Sequence, residues 1–154
     1  MYSQESIDQI NDEYTLVGGQ TNELLLACMR ASQGYSNGEA ANYMRQGVCR
    51  RLRTIQRCVE NVFTLFPVEQ AEKLSSEVLT DVAINIQAFV INVSGVFDNL
   101  AWVYALQKGL YREEGASELG RMDVGLYNKK MIKHLPEKFR DYLISQNKNS
   151  QAEE

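Results

Sequence analysis

One long segment, Ser76 to Gly109, constrains the fold more than any other part of the chain, because it reads as a helix with two different faces. Leu79, Val82, Ile86, Phe89, Val93, Phe97, Leu100 and Tyr104 recur at three- and four-residue steps, the period of one face of an α-helix. Beside them a second set recurs at the same steps: Asp81, Asn85, Ala88, Asn92, Gly95, Asn99 and Trp102. This seam is small and amide-rich. A helix that buries one apolar face has no need of such a seam, so the seam asks for a partner. The expectation is a central helix in an all-helical fold, packed on more than one side.

The chain has 154 residues, which makes one domain with a real core the default. Its net charge of −4 argues against a general nucleic-acid or DNA coat, which needs a basic surface. A local basic patch remains compatible with that charge. The stretch Ile84 to Tyr104 is apolar enough to raise the question of a membrane. It carries Asn85, Gln87, Asn92, Asp98 and Asn99, however, and one Asp costs roughly 2.5–3.5 kcal/mol at a bilayer centre. A buried core helix is the expectation, and no membrane partner. The opening residues Met1 to Asp12 are polar and acidic, unlike a secretory leader, so a cytoplasmic location is expected. Cys28, Cys49 and Cys58 have no metal-ligand spacing and sit at apolar helical positions, as reduced core thiols do.

Periodicity predicts three long helices and a short one. In the first, Ser3 to Ser32, the positions Ile7, Ile10, Tyr14, Val17, Thr21, Leu24 and Cys28 keep their rhythm across Gly18-Gly19. Two glycines cost about 2 kcal/mol of helix propensity relative to alanine. The register survives them, which predicts one helix, open to a close neighbour at the glycines. Ser36 or Asn37 is placed to cap the second helix, and Pro67 ends it after Phe66. Its stripe Ala41, Met44, Val48, Leu52, Ile55, Val59, Val62 and Phe66 is expected to face a core. A short helical turn is expected at Val68 to Lys73. Ser75 or Ser76 caps the third helix and Gly109 ends it. Leu110 to Gly125 reads as a long mobile loop, and a helical turn is expected at Asn128 to His134. Pro136 suits the first turn of a last helix, Glu137 to about Gln146. The fold class is all-α, an antiparallel up-and-down bundle in one domain, residues 1–146, with a disordered polar tail at 147–154.

Few residues are typed for chemistry. The basic run Arg45, Arg50, Arg51, Arg53, Arg57 puts Arg50, Arg53 and Arg57 on one face of the second helix, spaced to grip phosphates. The plainer reading is a solvated face near Glu39 and Glu60. His134, the only histidine, sits among lysines with no carboxylate at a helical step before it, which suits an exposed or capping residue better than a general base. No Ser–His or Cys–His pair, metal-ligand cluster or phosphate-binding glycine loop is recognisable, so no catalytic residue, metal or cofactor is expected. The sharpest cluster is Asp98-Asn99-Leu100-Ala101-Trp102. With Asn85, Asn92 and Gly95 it forms a candidate interface: Gly95 and Ala88 admit a close backbone, and the asparagines recur every seven residues. Such a line fixes register and partner in a symmetric contact. A second copy of the chain is the expected partner, and a network within one chain is the alternative.

At this cluster the chain resembles a known class. The stretch Ile84 to Trp102, INIQAFVINVSGVFDNLAW, followed by His134 to Leu143, HLPEKFRDYL, is similar to bacterial proteins of the HEPN-like helical class. That resemblance implies an antiparallel helical bundle, dimerisation, and a setting in phage defence or toxin–antitoxin systems, where the active members cleave RNA. Their catalytic motif is an Arg followed after four to six residues by a His. Arg121 lies too far before His134 and Arg140 follows it, so the motif is missing and no catalytic role carries over. The resemblance therefore implies a non-catalytic protein acting through protein or RNA contacts. The alternative is a metal-independent ribonuclease with a site shared across a dimer, using His134 and arginines of the second helix.

Overall fold

The computed structural model describes residues 2–152, with side chains described for residues 2–145. The chain is all-helical, with no strand among the described residues. Helix α1 spans Gln4–Gln33, α2 Gly38–Asn42, a π-helical segment Tyr43–Cys49, α3 Arg50–Leu65, α4 Ser76–Gln107, α5 Lys129–Ile132 and α6 Glu137–Ala152. From α2 to α3 the chain is one uninterrupted helix with a widened stretch in its first half.

Each long helix starts at a side-chain cap that satisfies an amide the helix leaves without a partner. Ser3 Oγ accepts from Ser6 N–H at 3.2 Å, Asn37 Oδ1 from Ala40 N–H at 3.0 Å, and Ser75 Oγ from Val78 N–H at 3.3 Å. Helix α1 runs through Gly18-Gly19 without a break, as its rhythm predicts. The second part of that expectation is corrected: nothing lies within 4 Å of a Cβ built on either glycine, so no helix approaches there. The end of α4 is built by Gly109, whose φ of 68° suits a residue without a Cβ. Around it Leu110 N–H bonds Ala105 O at 2.9 Å and Gly109 N–H bonds Leu106 O at 3.1 Å. Leu110 and Ala105 then share one buried cluster, the apolar contact that accompanies this kind of helix stop.

Three further expectations change. Residues 68–73 hold only a turn, closed by Gln70 N–H to Pro67 O at 3.0 Å. The stretch from Leu110 to Gly125 stays a long connection but gains an anchor: Leu119 is 1% exposed and its N–H bonds Leu110 O at 3.0 Å, while residues 112–118 are exposed. Helix α6 continues past Gln146 to Ala152, so most of the expected tail is helical, while Glu153 and Glu154 lie outside the described residues.

The core sits at one end of the long helices. One cluster joins Leu25 of α1, Met44, Val48 and Cys49 of the π segment, Leu52 of α3 and Val103 of α4. A second wraps the last turns of α4 with Leu119, Leu126, Met131, Leu135 and Leu143. The other halves of the helices bury little: Ile7, Cys58 and Val82 are the buried apolar residues there. The expectation that Ile84 to Tyr104 is a buried core helix therefore holds only for its last turns. Ile84, Ile86, Val90 and Ile91 are each at least half exposed.

Candidate functional site

The arginines of the second helix come together in a groove of about 550 Å³, lined by Arg45, Arg50, Arg53 and Arg57 with Met29 of α1 beside them. Arg45, Arg50, Arg53 and Arg57 are all exposed. Arg57 bridges Glu60 at 3.1 Å, one turn along the same helix. Arg45, Arg50 and Arg53 form no ion pair among the described residues. Three guanidinium forks without acid partners, side by side in a concave surface, suit phosphate or carboxylate oxygens.

Arg45 is the member that periodicity misses. At 3.6 residues per turn it falls off the face shared by Arg53 and Arg57. The π segment turns more slowly per residue, and it carries Arg45 round into line. No local composition signal marks such a segment, although its effect on phase is what fixes the groove. Cys49 lies in the floor of this groove. Burial pushes its thiol up, while the nearby Arg53 guanidinium pulls the other way. A thiol held protonated is a poor nucleophile. The groove therefore offers binding and no evident covalent chemistry.

The amide seam of α4 has a different use from the one its sequence suggests. Asn85, Asn92 and Asn99 each donate Nδ2–H to the carbonyl four residues back, Asp81, Ala88 and Gly95, at 2.7–2.8 Å. That bond fixes each side chain and leaves Oδ1 facing the second helix. Asn85 Oδ1 accepts from Asn61 Nδ2–H at 2.9 Å, and Asn92 Oδ1 from Arg51 Nη1–H at 3.1 Å. Asn99 packs over Gly47, and the Arg51 guanidinium lies over Gly95. Trp102 stacks on Tyr43 with ring centroids 5.6 Å apart and meets Tyr111 edge-on at 4.9 Å.

The candidate interface of Asn85, Asn92, Gly95, Asn99 and Trp102 is thus covered by the same chain, which corrects the expectation of a second copy at this seam. The reason is steric. Gly47 and Gly95 remove the two side chains that would hold α3 and the π segment away from α4. Asp98 does not belong to the seam; it is exposed on another side of α4. Arg51 is the one arginine of the run turned inward. Its Nε is buried without a hydrogen-bond partner.

His134 stands on the turn between α5 and α6, and none of the groove arginines lies against it. Its Nδ1 is 3.5 Å from Glu118 Oε2, and its carbonyl accepts from the Tyr104 hydroxyl at 2.6 Å. The carboxylate that sequence spacing could not supply comes from the long connection before α5. Among the described residues no group of three His, Cys, Asp or Glu side chains is placed to hold a metal. No protein-family model, curated protein or solved structure matches the chain.

Proposed function

We propose that the chain is a non-catalytic, HEPN-like antiparallel up-and-down bundle of the cytoplasm that binds the phosphate backbone of RNA along its arginine groove. The class and the defence or toxin–antitoxin setting rest on the resemblance of Ile84–Trp102 and His134–Leu143. The antiparallel arrangement is supported by the order of contacts: Asn37 meets Leu106 and Gln107, Gly47 meets Asn99, Arg51 meets Asn92, and Asn61 meets Asn85. In the same way Tyr14 stacks on Phe63 at 4.4 Å, while Leu25 packs with Val48 and Leu52.

The observation that carries the binding reading is the groove itself. A guanidinium bridged to an acid is neutralised, and here Arg45, Arg50 and Arg53 keep their charge open to an anionic ligand on one concave surface. Replacing Arg50, Arg53 and Arg57 with Gln weakens RNA binding and flattens its dependence on salt by about two to three units of slope. A wild type that fails to bind RNA, or a triple variant that binds equally well, leaves the groove as a solvated face. The second reading is a ribonuclease whose site is shared by two copies. One observation favours it: Glu118 stands at His134 Nδ1, where a carboxylate orients an imidazole for proton transfer. It requires RNA cleavage by the wild type that His134→Ala abolishes.

A further inference from the structure

We propose that the chain holds a medium-chain fatty carboxylate in a cavity between its two core clusters, with the carboxylate on Lys108. The cavity has a volume of about 390 Å³. Part of its wall is Met44 of the π segment and Val103 of α4, both buried in the first cluster. Another part is Leu126 and Leu135, both buried in the second. Leu100 packs against both clusters and lines the cavity as well. Protein interiors hold few voids larger than a water molecule, so a gap of this size between two buried clusters suits a small-molecule ligand.

The polar groups of the lining set the orientation of that ligand. The Tyr104 hydroxyl donates to His134 O at 2.6 Å. Gln107 Nε2–H donates to Ser36 Oγ at 3.1 Å, and Gln107 Oε1 accepts from Asn37 N–H at 3.4 Å. These groups are already engaged within the chain. Among the described residues Lys108 is the one charged member of the lining; it is exposed and forms no ion pair. A lysine in the last turn of a helix can serve the carbonyls of that helix. Here Tyr104 O, Ala105 O and Leu106 O already accept from the N–H groups of Lys108, Leu110 and Gly109 at 2.9–3.1 Å. The ammonium is left for an anion from outside.

One cation at the mouth with hydrocarbon behind it selects one anionic head and one apolar body. A cationic head meets only the like charge of Lys108, since no Asp or Glu lines the cavity. A nucleotide or sugar phosphate would press its hydroxyls against Met44, Leu100, Val103, Leu126 and Leu135 without partners, which is costly. The same aliphatic wall suits a flexible chain. The volume lies at the small end of ligand sites, which limits that chain to about ten carbons. The site shares no lining residue with the arginine groove, so it stands independently of RNA binding there.

The test is titration of the full chain with decanoate, below its micelle concentration and at neutral pH, by calorimetry, with the contact residues read from amide shifts in nuclear magnetic resonance. The wild type is expected to take one decanoate per chain, with the largest shifts at Leu100, Val103, Leu126 and Leu135. Lys108→Gln, a change at an exposed side chain, is expected to keep the circular dichroism of the wild type and to weaken decanoate roughly tenfold. Decyltrimethylammonium is expected to bind the wild type far more weakly than decanoate. Arg50→Gln, Arg53→Gln and Arg57→Gln together are expected to leave decanoate binding unchanged. A wild type that does not bind decanoate overturns the inference. So does affinity that is the same in Lys108→Gln, or equal for the two head groups. Shifts gathered at the arginines would mean a carboxylate held by guanidinium alone, and shifts along the exposed half of α4 a chain adsorbed on its apolar surface; either result overturns it too.

Discussion

Single glycines decide how closely the helices of this chain meet, and they divide into two kinds. A Cβ at Gly18 or Gly19 meets nothing within 4 Å, so these two only loosen an exposed helix. Gly18→Ala and Gly19→Ala are each expected to stabilise the protein by about 0.5–1 kcal/mol, read as higher midpoints in urea. A Cβ at Gly47 meets Oδ1, Cγ and Cβ of Asn99, and turning the amide aside does not clear its Cβ. Gly47→Ala is expected to cost about 1–3 kcal/mol in the same titration. At Gly95 the obstacle is the far end of Arg51, which can swing away, so Gly95→Ala costs less than Gly47→Ala. Equal losses at the two sites would refute this account of the seam. The thiols give a residue-scale test with a pH sign. Burial raises Cys58, and raises Cys28 and Cys49 as the largest influence on each. A raised thiol favours the fold while it stays protonated, and that contribution disappears as pH climbs through the raised value. Stability is therefore expected to fall in alkali. A thiol reagent at neutral pH is expected to reach half-buried Cys28 before buried Cys49 and Cys58.

At the scale of elements, the connection from α4 to α6 has its own switch. Asp123 accepts from Gly120 N–H at 3.1 Å and from Lys130 Nζ at 3.0 Å, tying the turn at Arg121–Asp123 to α5. The hydrogen bond from Lys130 is the main reason its carboxyl is held below the usual range. A lowered carboxyl stabilises the fold above the ordinary aspartate value and stops doing so as pH falls through the lowered one. The protection of the Gly120 amide against hydrogen exchange, taken relative to the intrinsic rate at each pH, is expected to fall in acid, and Asp123→Asn is expected to remove that step. The helices themselves were legible in the chain. Ser3, Asn37 and Ser75 announce starts, Pro67 and Gly109 announce stops, and the rhythm from Ile7 to Cys28 outweighs Gly18-Gly19. The π segment was not legible, because composition carries no mark of a widened turn, and Arg45 was misplaced with it. The two faces of α4 were visible, but which of them the chain would cover for itself was not. Periodicity ranks faces by apolarity, whereas the close approach at Gly47 and Gly95 and the donors on Arg51 and Asn61 selected the amide seam.

For the whole molecule, the uneven core has a thermodynamic consequence. Both buried clusters lie towards one end of the long helices, while the first turns of α1, the last turns of α3 and the first half of α4 bury little. A cavity of about 690 Å³ opens at that end, lined by Ile7, Ile10, Val62 and Phe66 among others. Helical turns without tertiary packing are marginal in water, so this half depends on whatever covers it. If a second copy covers α4 there, unfolding releases two chains and the equilibrium follows mass action. The thermal midpoint of the wild type is then expected to climb with protein concentration. In Ile86→Glu with Val90→Glu the midpoint is expected to be lower and independent of concentration, with exchange fastest in the first half of α4. The arginine groove lies on the second helix, away from the open face of α4. Arg50→Gln, Arg53→Gln and Arg57→Gln together are therefore expected to leave the concentration dependence intact while weakening RNA binding. A midpoint that is flat for the wild type would mean that α4 keeps its shape without a partner, and the stability of its exposed half would have to come from its contact with α3 alone.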